Sequence, residues 1–258
     1  MNVRDLLDLT GRVALVTGGS RGLGLQMAEA LGEMGARVAI TARKQDELDA
    51  AVAKLAKAGI DARAWVCDIG RREAIPAAAD AILAHYGKVD ILVNNAGATW
   101  GAPAEDHPLE AWDKLMNVNL TGAFVLAQRI AKNSMIPAKW GRIINVASVA
   151  GLAASEPRVV RTVAYNASKH GVIGLTRQLA AEWGEHGITV NAICPGFFPS
   201  KMTRATLDAQ GESLRELTPT RRLGNDEDLK GLAVLLASEA SRHITGQAIA
   251  VDGGAILV

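Results

Sequence analysis

The chain has 258 residues, of which 49% are hydrophobic and 21% are charged, and its 28 basic and 27 acidic residues give a net charge of +1. This composition supplies enough apolar material for a large core, which excludes an intrinsically disordered chain. The balanced charge argues against a nucleic-acid-binding surface and against an acidic tail. No linker divides the sequence, so we expect residues 1–258 to form one domain.

Seven short apolar runs alternate with longer amphipathic stretches. The predicted strands span residues 13–17, 36–40, 63–67, 90–95, 142–148, 188–193 and 248–251. The predicted helices lie near residues 22–34, 45–58, 71–86, 109–135, 165–183 and 226–237, with Asn225 and Asp226 as candidate caps of the last one. Strands that are apolar throughout are typical of a parallel sheet with helices on both faces. The sequence therefore predicts a Rossmann-type, doubly wound α/β fold around a seven-stranded parallel sheet.

The segment 197–223 interrupts this alternation, because it contains Pro199, Gly211 and Pro219 without a strand pattern. In a doubly wound sheet, ligands bind beyond the carboxyl ends of the strands, and this segment follows the strand that ends near Ile193. We expect it to form a mobile lid over the substrate. The alternative is a surface insertion without function.

Two cysteines, Cys67 and Cys194, lie within apolar runs rather than at the spacing of metal ligands. We therefore expect neither a disulfide framework nor a metal site. The first twelve residues lack the apolar centre of a signal peptide, and no run approaches the ~18 apolar residues of a membrane span. These features predict a soluble, cytoplasmic protein without nucleic-acid or membrane partners.

A glycine-rich turn, TGGSRGLG at 17–24, follows the first strand and opens the first helix. Gly18, Gly22 and Gly24 allow the backbone to approach a pyrophosphate, and the amide groups at the helix start favour its negative charge. The turn therefore predicts a dinucleotide site, and the alternative is simply a tight connection.

The end of the second strand, VAITARK, predicts which dinucleotide binds there. It lacks the acidic residue that would bind the free ribose hydroxyls of NAD. Arg43 and Lys44 follow the strand, and Arg21 lies in the glycine turn, so cations converge where NADP carries its 2′-phosphate. We predict NADP(H) rather than NAD(H). The alternative is that these are ordinary solvated side chains.

Tyr165 and Lys169 are four residues apart in a predicted helix, so their side chains lie on one face. A nearby ammonium group is expected to lower the pKa of the phenol and fit it for proton transfer. Ser148 ends a predicted strand, where its hydroxyl can bind a substrate oxygen on which negative charge develops. The alternatives are a solvated helix face for the pair and a turn-forming role for the serine.

Seven motifs occur in order along nearly the whole chain: TGxxxGxG at 17–24, NNAG at 94–97, Asn119 within VNLTG, Ser148, YxxxK at 165–169, PG at 195–196 and VDGG at 251–254. Together they resemble the short-chain dehydrogenase/reductase family. The resemblance implies an enzyme that transfers hydride between a nicotinamide and a carbonyl or alcohol group.

The resemblance also implies residue roles. Tyr165 is the expected general acid, Lys169 lowers its pKa and holds the nicotinamide ribose, Ser148 orients the carbonyl, and Asn119 positions a water. Arg21 and Arg43 match positions that bind the 2′-phosphate, Asp68 is expected at the adenine, and Ser200 stands where a threonine is usual. The expected cofactor-lining residues also include Gly18, Ser20, Gly22, Leu23, Gly24, Lys44, Ile69, Asn95, Ala96, Gly97, Pro195, Gly196, Phe198 and Met202.

The substrate is predicted less directly, because enzymes with unrelated substrates share this fold. The segments 94–102 and 195–204 are similar to those of 3-oxoacyl reductases, so a 3-oxoacyl thioester on acyl carrier protein or coenzyme A is the first expectation. A sugar acid or polyol is the alternative, because the general pattern also resembles gluconate 5-dehydrogenases. A non-catalytic NADP(H)-binding regulator and an isomerase are alternatives of other classes.

Several residues bear on that substrate. Trp100 and Phe197, with Phe198 and Met202, are expected to form an apolar wall. Lys139 and His186 match the two arginines that receive acyl carrier protein in relatives, and are expected beside the pocket. Tyr165 follows Ser148 by seventeen positions, against about thirteen in many relatives, and the extra length falls at 156–162. The helices at 109–135 and 165–183 are expected to pair copies of the chain into a homodimer or homotetramer.

Overall fold

A computed structural model describes residues 1–258 and contains one sheet of seven parallel strands in the order β3-β2-β1-β4-β5-β6-β7. The strands are β1 (Val13–Thr17), β2 (Arg37–Ala42), β3 (Ala62–Val66), β4 (Ile91–Asn94), β5 (Gly141–Val146), β6 (Ile188–Pro195) and β7 (Ala248–Val251). Each predicted strand is present with bounds shifted by no more than two residues, and the predicted Rossmann-type fold is confirmed.

Ten α-helical segments cover the sheet and its edges. They are α1 (Val3–Leu7), α2 (Gly22–Glu33), α3 (Gln45–Lys57), α4 (Ile75–Tyr86), α5 (Leu109–Met116), α6 (Gly122–Ile130), α7 (Ile136–Ala138), α8 (Val163–Trp183), α9 (Arg204–Leu217) and α10 (Lys230–Ala237). The segments α5, α6 and α7 form one continuous helix, in which two π turns at Asn117–Thr121 and Ala131–Met135 join the α-helical parts.

Alternate side chains of each central strand enter two separate cores. In β1, Ala14 and Val16 pack with α2, α3 and α10 on one face, whereas Val13 and Leu15 pack with α4, α6 and α8 on the other. Every residue of β1, β4, β5 and β6 is buried. This two-sided burial is why the strands are apolar throughout rather than alternating.

The strand order reverses at β1, which pairs with β2 on one side and with β4 on the other. Connections from these neighbouring strands leave in opposite directions, so a crevice opens beyond their carboxyl ends. The glycine turn after β1 and the NNAG segment at the end of β4 both lie at this crevice. The fold therefore brings the first two sequence motifs together.

Two predicted helices begin later in the structure, and a third helix was not predicted. Helix α4 begins at Ile75 rather than near residue 71, and α10 begins at Lys230 rather than near residue 226. Asn225 caps a separate turn instead, because its Oδ1 accepts hydrogen bonds from the amide groups of Glu227 and Asp228. Helix α9 lies inside the segment 197–223, for which the sequence pattern gave no helix, and it has no buried residue.

No helix in the structure combines the length and the apolar character that a bilayer crossing requires. No group of three or more histidine, cysteine, aspartate or glutamate side chains is arranged to hold a metal ion.

Candidate active site

A buried hydroxyl fastens the glycine turn to the end of β4. Thr17 Oγ1 accepts hydrogen bonds from the amide groups of Asn95 and Ala96, each at 3.0 Å. Asn95 Nδ2 donates in return to the carbonyl oxygens of Thr17 at 2.9 Å and Gly18 at 3.2 Å. These bonds fix the shape of the crevice before any ligand arrives. The sequence analysis did not assign Thr17, although it is the first residue of the TGxxxGxG motif.

The glycines of the turn have different physical reasons to be glycine. Gly18 and Gly22 have φ angles of 63° and 53°, which disfavour other L-residues. A Cβ on Gly24 would lie 2.4 Å from both Gly18 O and Asn95 Nδ2, whereas one on Gly22 would meet nothing within 4 Å. The backbone is thus closely packed at Gly24, whereas free space adjoins Gly22, where α2 begins. This cradle fits a pyrophosphate group at the start of a helix.

Replacing Gly24 by alanine is expected to weaken NADPH binding at least roughly tenfold and to destabilise the fold by about 1–3 kcal/mol, because the new methyl group displaces the turn. Titration of protein fluorescence with NADPH measures the first effect, and urea unfolding measures the second. Gly231→Ala in α10 is the matched control, since its Cβ would meet nothing within 4 Å. Equal NADPH affinity in the two variants would contradict the assigned cradle.

Three cations lie around the end of β2, as predicted, but two of them already have a partner. Arg21 Nη1 lies 2.7 Å from Glu47 Oε1, and Lys44 Nζ lies 3.6 Å from the same oxygen. Arg43 is exposed and forms no ion pair or side-chain hydrogen bond. Arg21 and Lys44 thus lie around a carboxylate that the sequence pattern did not indicate, although both side chains remain largely exposed. Asp68, the expected adenine contact, caps its own turn by accepting from Gly70 N at 3.0 Å.

The carboxyl ends of β5 and β6 bring the proton-transfer candidates together. Ser148 follows β5, and its hydroxyl lies close to the phenol of Tyr165 on α8. Lys169 Nζ lies 5.6 Å from the centre of the Tyr165 ring and donates a 2.7 Å hydrogen bond to Val146 O. Lys169 is 4% exposed, so its amine is held almost entirely within the protein. The structure thus places the three side chains at one point of the crevice.

Burial controls the ionisation of this cluster. It raises the pKa of the Tyr165 phenol, and the nearby Ser148 hydroxyl opposes that rise only in part. Burial also lowers the pKa of Lys169 to about 8. In the protein alone, the Lys169 ammonium group donates to Val146 O, and the expected lowering of the phenol pKa by Lys169 stays a prediction. Cys194 lies close by, and burial raises the pKa of its thiol to about 11.

Asn119 sits in the π turn Asn117–Thr121 and joins the NNAG segment to α8. Its Oδ1 accepts from Ala98 N at 2.8 Å, and its Nδ2 donates to Ala98 O at 3.0 Å and to Ser168 Oγ at 2.9 Å. A Cβ on Gly97 would lie 3.4 Å from Asn119 Oδ1 and 3.7 Å from Lys169 Nζ. The side chain of Asn119 therefore positions backbone beside Lys169, and the sequence analysis missed Ser168 as its partner.

The PG and VDGG motifs support each other at the far side of the crevice. Gly196 N donates to Val251 O at 3.0 Å, and a Cβ on Gly196 would lie 2.7 Å from the Cβ of Asp252. Asp252 in turn accepts from Gly254 N at 2.9 Å. This close contact sets the direction in which the chain leaves β6 and enters the segment 197–223.

The expected apolar wall is only partly present. Phe198 is 4% exposed and belongs to the core, where a Cβ on Gly224 would lie within 2.6 Å of its ring, so its side chain does not face a substrate. Phe197 is half-buried, whereas Trp100 and Met202 are 42% and 44% exposed. Ser200 fixes the turn after Phe198, because its Oγ accepts from Thr203 N at 3.2 Å.

Lys139 and His186 do not lie beside the pocket. Lys139 follows α7 and precedes β5, and His186 precedes β6, so both occupy the edge where these strands begin. They are close to each other, since a Cβ on Gly187 would lie 2.4 Å from Lys139 O. Ser148 and Tyr165 occupy the opposite edge. The expected basic contact beside the pocket is therefore wrong in this chain, because strand direction separates the two ends.

The extra residues 156–162 border the substrate side of the crevice. Arg161 O accepts from Ala102 N at 2.9 Å, which ties the insertion to the segment after β4. Gln210 on α9 donates to Arg158 O at 3.4 Å. A cleft of about 710 Å³ opens between residues 102–105 and the insertion, with Asn166 and His170 of α8 in its wall. The three segments that follow β4, β5 and β6 at the carboxyl edge of the sheet, which we call excursions, thus contact one another here.

Known proteins share both the sequence and the fold. A model of the short chain dehydrogenase family matches residues 12–211. The gluconate 5-dehydrogenase of Gluconobacter oxydans is 39% identical over 98% of each chain. The rhamnolipids biosynthesis 3-oxoacyl-[acyl-carrier-protein] reductase of Pseudomonas aeruginosa is 40% identical over 96% of this chain and 97% of its own. A gluconate 5-dehydrogenase from Burkholderia cenocepacia, crystallised with NADP and tartrate, superposes over the whole of both chains with a TM-score of 0.93 at 37% identity.

A family model that spans most of the chain agrees with relatives that align from end to end. The fold, the order of the motifs and the meeting of Ser148, Tyr165 and Lys169 are consistent with that match. The chain belongs to the short chain dehydrogenase family and is an oxidoreductase.

Proposed function

We propose that this protein interconverts a ketone and a secondary alcohol with NADP(H), and that Tyr165 transfers the proton. The observation that carries the proposal is the closeness of the Ser148 and Tyr165 hydroxyls beside the buried amine of Lys169. Backbone cradles and cations occur in many nucleotide-binding proteins. A phenol, a hydroxyl and an amine placed together at the crevice are what carbonyl reduction needs.

In reduction, the substrate carbonyl oxygen accepts hydrogen bonds from Ser148 and Tyr165. Bound NADPH supplies the hydride that makes the carbonyl carbon a secondary alcohol carbon. The Tyr165 phenol gives its proton to the oxygen, so the product is a neutral alcohol and the phenol becomes phenolate. The raised phenol pKa keeps Tyr165 protonated at neutral pH, and Ser148 stabilises the phenolate that follows. Lys169 supplies positive charge near the phenolate. Asn119 positions a water through which a proton returns to Tyr165.

The cofactor assignment rests on charge at the end of β2. No acidic residue ends that strand, and Arg21, Arg43 and Lys44 surround the position of a ribose 2′-phosphate. The glycine turn binds the pyrophosphate, and Asn95, Ala96 and Gly97 line the groove beyond it. A homologous gluconate 5-dehydrogenase has been crystallised with NADP, which supports the same choice here.

For the substrate, we propose a small polyhydroxylated ketone, of the sugar-acid or polyol class. The two basic residues expected to receive acyl carrier protein lie at the wrong edge of the sheet, and Phe198 faces the core. These findings weaken the first expectation from the sequence. The 39% identical gluconate 5-dehydrogenase and the relative crystallised with tartrate support the sugar-acid alternative.

A 3-oxoacyl thioester is the second candidate. The exposed faces of Trp100 and Met202 favour it, because apolar side chains at the rim of a crevice suit an acyl chain. The 40% identical 3-oxoacyl reductase supports it as well. A coenzyme A ester fits this candidate better than acyl carrier protein does, since it needs no docking surface for a second protein.

A substrate panel separates these candidates. We expect 5-ketogluconate or a related polyhydroxy ketone to oxidise NADPH with the highest kcat/KM, and acetoacetyl-CoA and longer 3-oxoacyl thioesters to be turned over more slowly. The assay follows nicotinamide absorbance with NADPH and with NADH. The reverse order would establish the thioester candidate. NADPH binding without oxidation by any ketone would indicate a regulator, and a product that is an isomer of the substrate would indicate an isomerase.

Two further proposals accompany this function. The segment 197–223, with α9 at its centre, acts as the substrate lid, because its only side-chain bond to the insertion is the weak Gln210 contact and α9 buries no residue.

The chain also self-associates as a homodimer or homotetramer through the continuous helix from Leu109 to Ala138 and α8, where Phe124 and Val163 expose apolar surface. A monomeric mass by light scattering at micromolar concentration would exclude self-association.

A further inference from the structure

The first turn of α3 places a carboxylate among the cations that surround the end of β2. Glu47 Oε1 lies 2.7 Å from Arg21 Nη1 and 3.6 Å from Lys44 Nζ, so a single oxygen holds both. The Glu47 side chain is 26% exposed, whereas those of Arg21 and Lys44 are 49% and 61% exposed. The carboxylate is thus the most buried of the three groups, and the two cations lie between it and the solvent.

The same two cations, together with Arg43, are the candidates for binding a 2′-phosphate. Arg21 extends from the glycine turn and Lys44 from the end of β2, and the ribose must pass between these segments if the pyrophosphate sits on the cradle. A phosphate monoester carries between one and a half and two negative charges at neutral pH. Arg21 Nη1 already binds Glu47 Oε1, and the Lys44 ammonium is attracted to the same oxygen, so a phosphate that approaches both cations competes with the carboxylate for them. It must also remain within a few ångströms of the Glu47 carboxylate.

We infer that Glu47 sets the choice between NADP(H) and NAD(H) by competing with the 2′-phosphate for Arg21 and Lys44. This inference rests on the proposed cofactor site. NAD(H) has no 2′-phosphate, so its binding leaves the Glu47 ion pairs intact and incurs no repulsion. NADP(H) binds Arg21 and Lys44 in competition with the carboxylate. Glu47 therefore reduces the ratio of the affinity for NADP(H) to the affinity for NAD(H), which the three cations alone would make much larger.

The decisive variant is Glu47→Gln, which removes the charge and keeps the size and the hydrogen-bonding oxygen of the side chain. We expect NADP+ to bind this variant roughly tenfold more tightly than the unaltered protein, because one like charge near the phosphate is gone. The affinity for NAD+ is expected to stay within about twofold. Isothermal titration of each nucleotide gives the dissociation constants without any substrate or turnover.

Asp46→Asn is the matched control. Asp46 precedes Glu47 in the first turn of α3, is exposed, and forms no ion pair or side-chain hydrogen bond. It carries the same change in net charge at the same helix end, so it reports the effect of long-range charge alone. We expect less than a twofold change for both nucleotides. The advantage of Glu47→Gln for NADP+ should shrink as salt concentration rises, since the charges are partly exposed.

Unchanged or weaker NADP+ binding by Glu47→Gln would overturn the inference, since the carboxylate would then be neutral or would hold Arg21 ready for the phosphate. An equal gain for NADP+ and NAD+ would overturn it as well, because the 2′-phosphate would not be the group concerned. These outcomes leave the proposed function standing. Failure of the unaltered protein to bind NADP+ at all would instead refute the proposed cofactor together with this inference.

Discussion

Tyr165→Phe is expected to lower kcat for ketone reduction by roughly 10²- to 10⁴-fold, the range over which a positioned general acid contributes. Only the phenol oxygen and its proton are removed, and the ring keeps its place on α8. NADPH affinity is therefore expected to stay within about twofold. Stopped-flow measurement of NADPH oxidation gives kcat, and fluorescence titration gives the dissociation constant. The two readouts together separate loss of proton transfer from loss of the site.

Tyr86→Phe is the matched control, because Tyr86 is the only other tyrosine. Its Oη donates to Val38 O at 3.2 Å in the core behind β2, far from the crevice, and burial raises its pKa to about 12. Loss of this hydrogen bond is expected to cost about 1 kcal/mol of unfolding free energy and to leave kcat unchanged. A Tyr165→Phe protein that kept most of its kcat would refute the proton-transfer role.

Lys169→Met is expected to lower kcat about 10²-fold or more, because the phenolate left by Tyr165 would lose its nearest positive charge. Methionine has a similar length and no charge, so it fits the buried channel in which the lysine side chain lies. The assay is again NADPH oxidation. The rate should not recover at any pH, whereas a variant that merely shifted a pKa would recover activity in part of the profile.

The same variant tests the buried amine through stability. Burial lowers the pKa of Lys169 to about 8, against about 10.4 in an unfolded chain. The unfolded state therefore binds more protons between these values, and the cost of burying the ammonium is fully present below about pH 8 and lost above about pH 10.4. Between about pH 8 and pH 9.5, the unaltered protein should gain about 1–2 kcal/mol of unfolding free energy relative to Lys169→Met. A constant difference across that interval would show that the amine is not held as described.

The fold was largely predictable because the pattern that specifies it is local. Continuous apolar runs such as β1 and β5 result from burial on both faces, and glycine turns mark their ends. Helix α9 escaped prediction because Gly211 and several charged residues give its segment the character of a loop, although its few apolar residues lie on one face. The start of α10 was misplaced because Asn225 caps a turn that resembles a helix start.

The site was predictable where a motif fixes both residue type and spacing. Ser148, Tyr165, Lys169 and Asn119 meet as expected, since their positions follow from the ends of neighbouring strands and one helix face. The neighbours that tune them were not predictable, because they come from distant segments. Glu47 reaches Arg21 only through the tertiary fold. The placement of Phe198 against Gly224 also depends on a chain reversal that no local pattern reports.

The three excursions that follow β4, β5 and β6 contact one another but contribute little to either core. They contact one another through two hydrogen bonds to peptide carbonyl oxygens, from Ala102 N to Arg161 O and from Gln210 to Arg158 O, rather than through packed apolar side chains. Such a contact tolerates new side chains, because a peptide carbonyl is present whatever residue occupies the position. We therefore expect the surface proposed to select the substrate to vary independently of the framework that holds the nucleotide. Substitutions in the substrate surface can change the chemistry of that surface without altering the nucleotide site. This independence explains how a single sheet accommodates relatives that act on such different molecules.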